Sequence, residues 1–181
     1  MEKIMRITSV IAFALLVGIP ASAQDARPDL SGTWNIDLVK SDFGPMPPPE
    51  SIVQVIVHKD PALKVSSTVK NQTGTISNER NLTTDGKENT YTLKNPAGEQ
   101  AVKSTSTWSG AKLLTTMKVD AQGVTIDIND AWELSADGKV LTMTRDIKTA
   151  QGNFTQKSVY NKQERETEGQ HGETAQRRFS R

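Results

Sequence analysis

Glycines return along most of this chain at a nearly constant interval, and that spacing limits what it can become. Between residues 71 and 162 they fall at 74, 86, 98, 110, 123, 138 and 152, so neighbours lie 12 to 15 residues apart. Most sit in turn-forming contexts: Asp85-Gly86, Asn95-Pro96-Ala97-Gly98, Ser109-Gly110 and Asp137-Gly138. Asn, Asp and Gly tolerate the positive φ angles of tight hairpins, so the recurrence marks chain reversals separated by strands of ordinary length.

The segments between the turns alternate with period two and are rich in Thr, Val and Ile, as half-buried strands require. Val124, Ile126, Ile128 and Trp132 share one parity; so do Leu113, Thr115, Met117 and Val119, then Val102, Ser104, Ser106 and Trp108. Val53, Val55 and Val57 define a further apolar face. About ten strands are predicted, near 31–38, 51–59, 62–70, 75–84, 88–94, 99–108, 111–119, 123–134, 139–147 and 153–161. No segment carries a helical stripe. A long antiparallel meander hides its edges best by closing, so the expected fold is an all-β, up-and-down barrel, with a two-sheet sandwich as the alternative. Residues 40–50 hold Gly44, Pro45, Pro47, Pro48 and Pro49, which rules out a strand and predicts an extended loop at one end.

Both ends of the sequence read as separate from the barrel. Lys3 and Arg6 precede an apolar run from Ile7 to Ile19, and Ala21-Ser22-Ala23 is a small-x-small cleavage pattern, so residues 1–23 are expected to be a signal peptide. The run is shorter than the about 20 residues of a membrane span. The mature chain is expected in the periplasm or secreted, with the barrel over 24–162 and a disordered, charged tail over 163–181. Composition narrows the chemistry. Lys+Arg 22 against Asp+Glu 21 gives no field for nucleic acid, and the absence of Cys excludes disulfides, thiolate metal sites and thiol nucleophiles.

Ser31-Gly32-Thr33-Trp34 opens the first strand, and the chain then meanders to Val159-Tyr160-Asn161-Lys162. Between them stand Trp108-Ser109-Gly110-Ala111-Lys112-Leu113 and the phrase Trp132-Glu133-Leu134-Ser135-Ala136-Asp137-Gly138-Lys139-Val140-Leu141. This pattern resembles the calycins, the superfamily of lipocalins and fatty-acid-binding proteins, in which a Gly-x-Trp motif marks the first strand. The resemblance implies a calycin-like barrel, a structural role for Gly32 and Trp34, and a small hydrophobic or amphipathic ligand in the lumen. It departs from the fatty-acid-binding proteins where their two lid helices would stand, since Phe43-Gly44-Pro45-Met46-Pro47-Pro48-Pro49 occupies that place.

Candidate ligand contacts are the polar and aromatic residues that interrupt apolar strand faces. Arg80 shares a parity with Ile76, Asn78 and Leu82, Arg145 with Leu141 and Met143, and Asp130 lies between Ile128 and Trp132. An inward arginine can grip a carboxylate or phosphate through two hydrogen bonds. Trp108 and Trp132 suit a ligand wall or a core, and Tyr91, Met117 and Met143 are further lumen candidates. Each has a plainer reading. Arg80 could face solvent, Asp130 could neutralise an arginine, and the calycin resemblance implies that Arg145 lies over Trp34. His58, beside Asp60-Pro61, reads as a solvent-facing turn residue.

No catalytic set, metal site or cofactor motif emerges. Asp127 and Glu133 fall on the opposite strand face from Asp130, and His58 has no Gly-x-Ser-x-Gly elbow to serve. The expected function is therefore that of an exported, monomeric, non-enzymatic binding protein. The alternatives are an interaction module using the proline-rich loop 43–50 and a lumen enzyme using Asp130 beside Arg145.

Overall fold

The computed structural model describes residues 27–95, 98–121 and 123–164. The ten strands are β1 (Gly32–Ile36), β2 (Ser51–Lys59), β3 (Ala62–Asn71), β4 (Gly74–Thr83), β5 (Asp85–Asn95), β6 (Gly98–Ser109), β7 (Lys112–Ala121), β8 (Val124–Leu134), β9 (Val140–Thr149) and β10 (Gly152–Lys162). They form one antiparallel sheet in the order β4-β3-β2-β1-β10-β9-β8-β7-β6-β5, so every ladder joins sequence neighbours except β1 with β10. That pairing, with Ile36 opposite Tyr160, joins the two ends of the meander. The all-β, ten-strand expectation holds. The expected signal peptide and most of the expected tail lie outside the described residues, although Gln163 still donates to the Thr33 carbonyl and Glu164 pairs with Lys139. No helix among the described residues is long and apolar enough to cross a membrane.

The strands β4 and β5 are the sheet's two edges and share no backbone ladder. Asn78 spans the seam instead. Its Nδ2 donates to the Lys94 carbonyl at 3.0 Å and its Oδ1 accepts the Lys94 amide at 2.7 Å, which reproduces with one side chain what a ladder rung would do. Replacing Asn78 by alanine should free the Lys94 amide and speed its hydrogen exchange at least about tenfold, while the β9 and β10 amides keep their protection.

The inward face changes character along the barrel. Toward one end, here the base, it is filled by Trp34, Ile56, Leu63, Val65, Leu82, Leu113, Trp132, Leu141 and Tyr160, with Leu30 beneath the first strand. Toward the opposite rim the same parities are only half-buried: Ile52 on β2, Val69 on β3, Ile76 on β4, Ile126 and Ile128 on β8, and Phe154 on β10. A smaller cluster of Val102, Met117 and Val119 lines the β6–β7 wall, with Tyr91 and Leu93 against it. One end is therefore packed shut, whereas the half toward the opposite rim, the open half, leaves its inward apolar side chains only partly covered.

On β2 the structure corrects the expected face. Gln54 and Ile56 point inward, while Val55 and Val57 are exposed on the outer surface. The run Ile52-Val53-Gln54-Val55-Ile56-Val57 is apolar on both parities, so alternation could not choose between them. The loop 37–50 runs along β10 rather than standing free. Asp42 and Lys157 exchange backbone hydrogen bonds, the Ser41 hydroxyl accepts the Val159 amide, and Gln156 donates to the Phe43 carbonyl.

Candidate functional site

Where the filled base meets the open half, the inward positions become polar. Val65 lies opposite Arg80, Gln54 opposite Ser67, Asp130 opposite Arg145, and Ser158 opposite Met143. The β8–β9 register runs without a slip, which places Asp130 and Arg145 directly opposite each other.

Asp130 and Arg145 form a two-pronged ion pair. Arg145 Nε and one terminal nitrogen reach the two carboxylate oxygens at 2.7 Å each, with Asp130 at 1% side-chain exposure and Arg145 at 26%. Burial alone would favour a neutral guanidine, but the Asp130 charge and its hydrogen bonds more than offset this and raise the Arg145 pKa, so the arginine stays charged. Asp130 is thus the neutralising partner that its position in the β8 pattern allowed.

Arg80 differs. It is only 7% exposed, so the solvent-facing reading is excluded, and its guanidinium carbon stands 6.0 Å from the centre of the Trp132 ring. Among the described residues no carboxylate lies within ion-pair distance of it. A cation–π contact of this kind contributes about 0.5–2 kcal/mol, less than the several kcal/mol that desolvating a cation costs. Three other buried polar atoms among the described residues have no hydrogen-bond partner and sit on inward positions: Gln54 Oε1, Ser104 Oγ and Trp132 Nε1. Gln54 Nε2 donates to the Tyr160 hydroxyl at 2.9 Å, and burial pushes the Tyr160 pKa up, so the phenol stays neutral and can itself donate. The barrel's middle therefore offers one uncompensated cation and several unused hydrogen-bonding atoms.

The tryptophans separate. Trp34 is fully buried, and its indole donates to the Leu30 carbonyl at 3.0 Å. The cation over its ring is Lys162, at 5.2 Å, and not Arg145 as the calycin resemblance implied. The register that puts Lys162 opposite Trp34 makes the difference. Gly32 fits this arrangement, since a Cβ there would stand 2.6 Å from Lys162 Cε and the backbone has φ +147°. Trp132 belongs to the base cluster with Arg80 over its face. Trp108 lies at the base beside the β2–β3 turn, where its indole donates to Asp60, away from the open half. Tyr91 donates to Met117 Sδ two strands away on the same β5–β7 wall, while Met143 is packed in the base.

His58 is also placed differently from the sequence expectation. Its side chain is 4% exposed and lies beneath the N-terminal segment 27–31. That segment is too short and irregular to carry a strand signal, so nothing in the alternation announced that it would cover the turn.

A groove of about 1240 Å³ lies on the outer side of β1 and β2, bordered by Val55, Val57, Lys139, Lys162 and Glu164. Among the described residues no group of three His, Asp or Glu side chains could hold a metal ion.

The chain matches no protein-family model and no curated protein. Among solved structures it is similar to zebrafish ileal bile acid-binding protein crystallised with cholic acid. The two share 18% identity over 74% of this chain and 98% of that one, with a TM-score of 0.46.

Proposed function

We propose that this chain is an exported, non-enzymatic, calycin-like binding protein that holds one small amphipathic molecule in the open half of the barrel. The apolar part of the ligand would lie against Ile76, Leu93, Ile126, Ile128 and Phe154, and its anionic head would reach inward to Arg80. The observation that carries this reading is the contrast between the two interior arginines. Asp130 already neutralises Arg145, whereas Arg80 is buried with no carboxylate beside it. A carboxylate or sulfate would supply the missing charge, and the half-buried rim would gain about 25 cal/mol for each Å² of apolar surface covered. Gln54, Ser104 and Tyr160 could serve further polar groups on the ligand. Export rests on Lys3, Arg6, the apolar run and Ala21-Ser22-Ala23.

Titrating intrinsic tryptophan fluorescence with a panel of anionic, neutral and cationic amphiphiles tests the proposal. Saturable one-to-one binding confined to, or strongly favouring, the anionic members is expected, because Trp132 lies under the recognising cation. Equal response to all three classes, or to none, would count against it.

A second reading keeps the proline loop as a protein contact, since Met46 is 53% exposed among its prolines while the root of the loop is fastened to β10. Loss of an envelope partner on replacing residues 45–49 with glycine and serine would support it.

A further inference from the structure

His58 is buried at the base, far from the open half, and the ligand-binding proposal does not use it. Its Nδ1 accepts the Leu30 amide at 3.3 Å, which requires the neutral imidazole with its proton on Nε2. Nε2 has no hydrogen-bond partner. Two carboxylates flank the ring: Asp29 from the N-terminal segment, 3.8 Å from Nδ1, and Asp60 from the β2–β3 turn, 4.0 Å from Nε2. The Trp108 ring from β6 also stands beside it, 5.7 Å away centre to centre.

Both carboxylates are held ionised. The Thr84 hydroxyl lowers the Asp60 pKa most; burial opposes it, and Arg27 and the Trp108 indole add to the lowering. The Ser31 side chain and amide do the same for Asp29, with a smaller contribution from Lys162. The imidazole thus sits between two negative charges while one of its nitrogens is committed to a backbone amide.

We infer that His58 is a proton-operated latch on the segment that plugs the base of the barrel. In the neutral form Nδ1 holds the Leu30 amide, which keeps the fully buried Leu30 beneath Trp34, whose indole bonds to the Leu30 carbonyl. A proton on Nδ1 sets N–H against N–H and ends that bond. The new donor finds its acceptor one residue earlier, at the Asp29 carboxylate, and Nε2–H faces Asp60. The segment 29–31 therefore has two seats on one imidazole, selected by pH, and the choice reaches Trp34 through Leu30.

Two-dimensional NMR of ¹⁵N-labelled protein between about pH 8 and pH 5, the range in which imidazoles commonly titrate, tests the latch. The expected result is that the Leu30 amide and the Trp34 indole N–H shift together with the His58 ring, at one midpoint. The signals of His171 are assigned separately with His171→Gln. In His58→Asn, whose side-chain oxygen can still accept the Leu30 amide, both shifts should vanish. Asp29→Asn, at an exposed position, should lower the His58 midpoint. The inference is overturned if His58 takes up no proton before the fold is lost, if it titrates while Leu30 and Trp34 stay fixed, if the shifts persist in His58→Asn, or if Asp29→Asn leaves the midpoint unchanged.

Discussion

Asp130→Ala should destabilise the barrel by about 3–5 kcal/mol, as read by urea unfolding, and lower the melting temperature by roughly 10 °C. The cost comes mainly from what is left behind. A guanidinium is too basic to give up its proton inside a protein, so without Asp130 a charged Arg145 remains inside the sheet with two of its donors unpaired. Its 26% side-chain exposure on the rim side of the base gives partial access to water, which favours the lower part of that range. The pair itself is not the source of stability, so the double variant Asp130→Leu with Arg145→Met should recover most of the loss. A double variant as unstable as Asp130→Ala would mean that shape, and not charge, is what the site requires.

Trp34→Ala should cost a similar amount, about 3–5 kcal/mol, by a different route. The indole is fully buried in the cluster that closes the base, and three separate parts of the chain meet at this residue: the N-terminal segment through the Leu30 carbonyl, β10 through Lys162 over the ring, and β2 through its pairing with β1. Removing it leaves a cavity and frees the N-terminal segment. Trp34→Phe keeps most of the volume but loses the N–H, so it should cost only about 1–2 kcal/mol. Alanine and phenylalanine variants of equal stability would show that the indole ring does not anchor the base.

The strands were legible because a meander is a local fold. Each turn and the two strands it joins lie within one stretch of sequence, and the glycine spacing reports them directly. Faces were legible only where the two parities differ in polarity. Leu141, Met143 and Arg145 stand out on β9, whereas β2 is apolar on both sides and its inward residues, Gln54 and Ile56, were missed. Interior placement of Arg80 could be framed from sequence as a choice between lumen and solvent but not settled by it. The least legible features depend on contacts between distant segments. Lys162 reaches Trp34 through the β1–β10 register, Leu30 and His58 meet because the N-terminal segment folds over a turn, and Tyr160 meets Gln54 across 106 positions of sequence. Asn78 stood out as a polar break in an apolar face, but its role at the β4–β5 seam required knowing which strands are the edges.

The central claim is that Arg80 is an interior cation awaiting an anionic ligand head. It is tested most directly by comparing the affinities of a long-chain carboxylate and the alcohol of the same length for the native protein and for Arg80→Gln. The native protein should prefer the carboxylate by at least about tenfold, as expected when one charge-assisted hydrogen-bonded pair is lost. Arg80→Gln should bind the two alike. A preference that survives the substitution, or native protein that binds neither compound, would contradict the account.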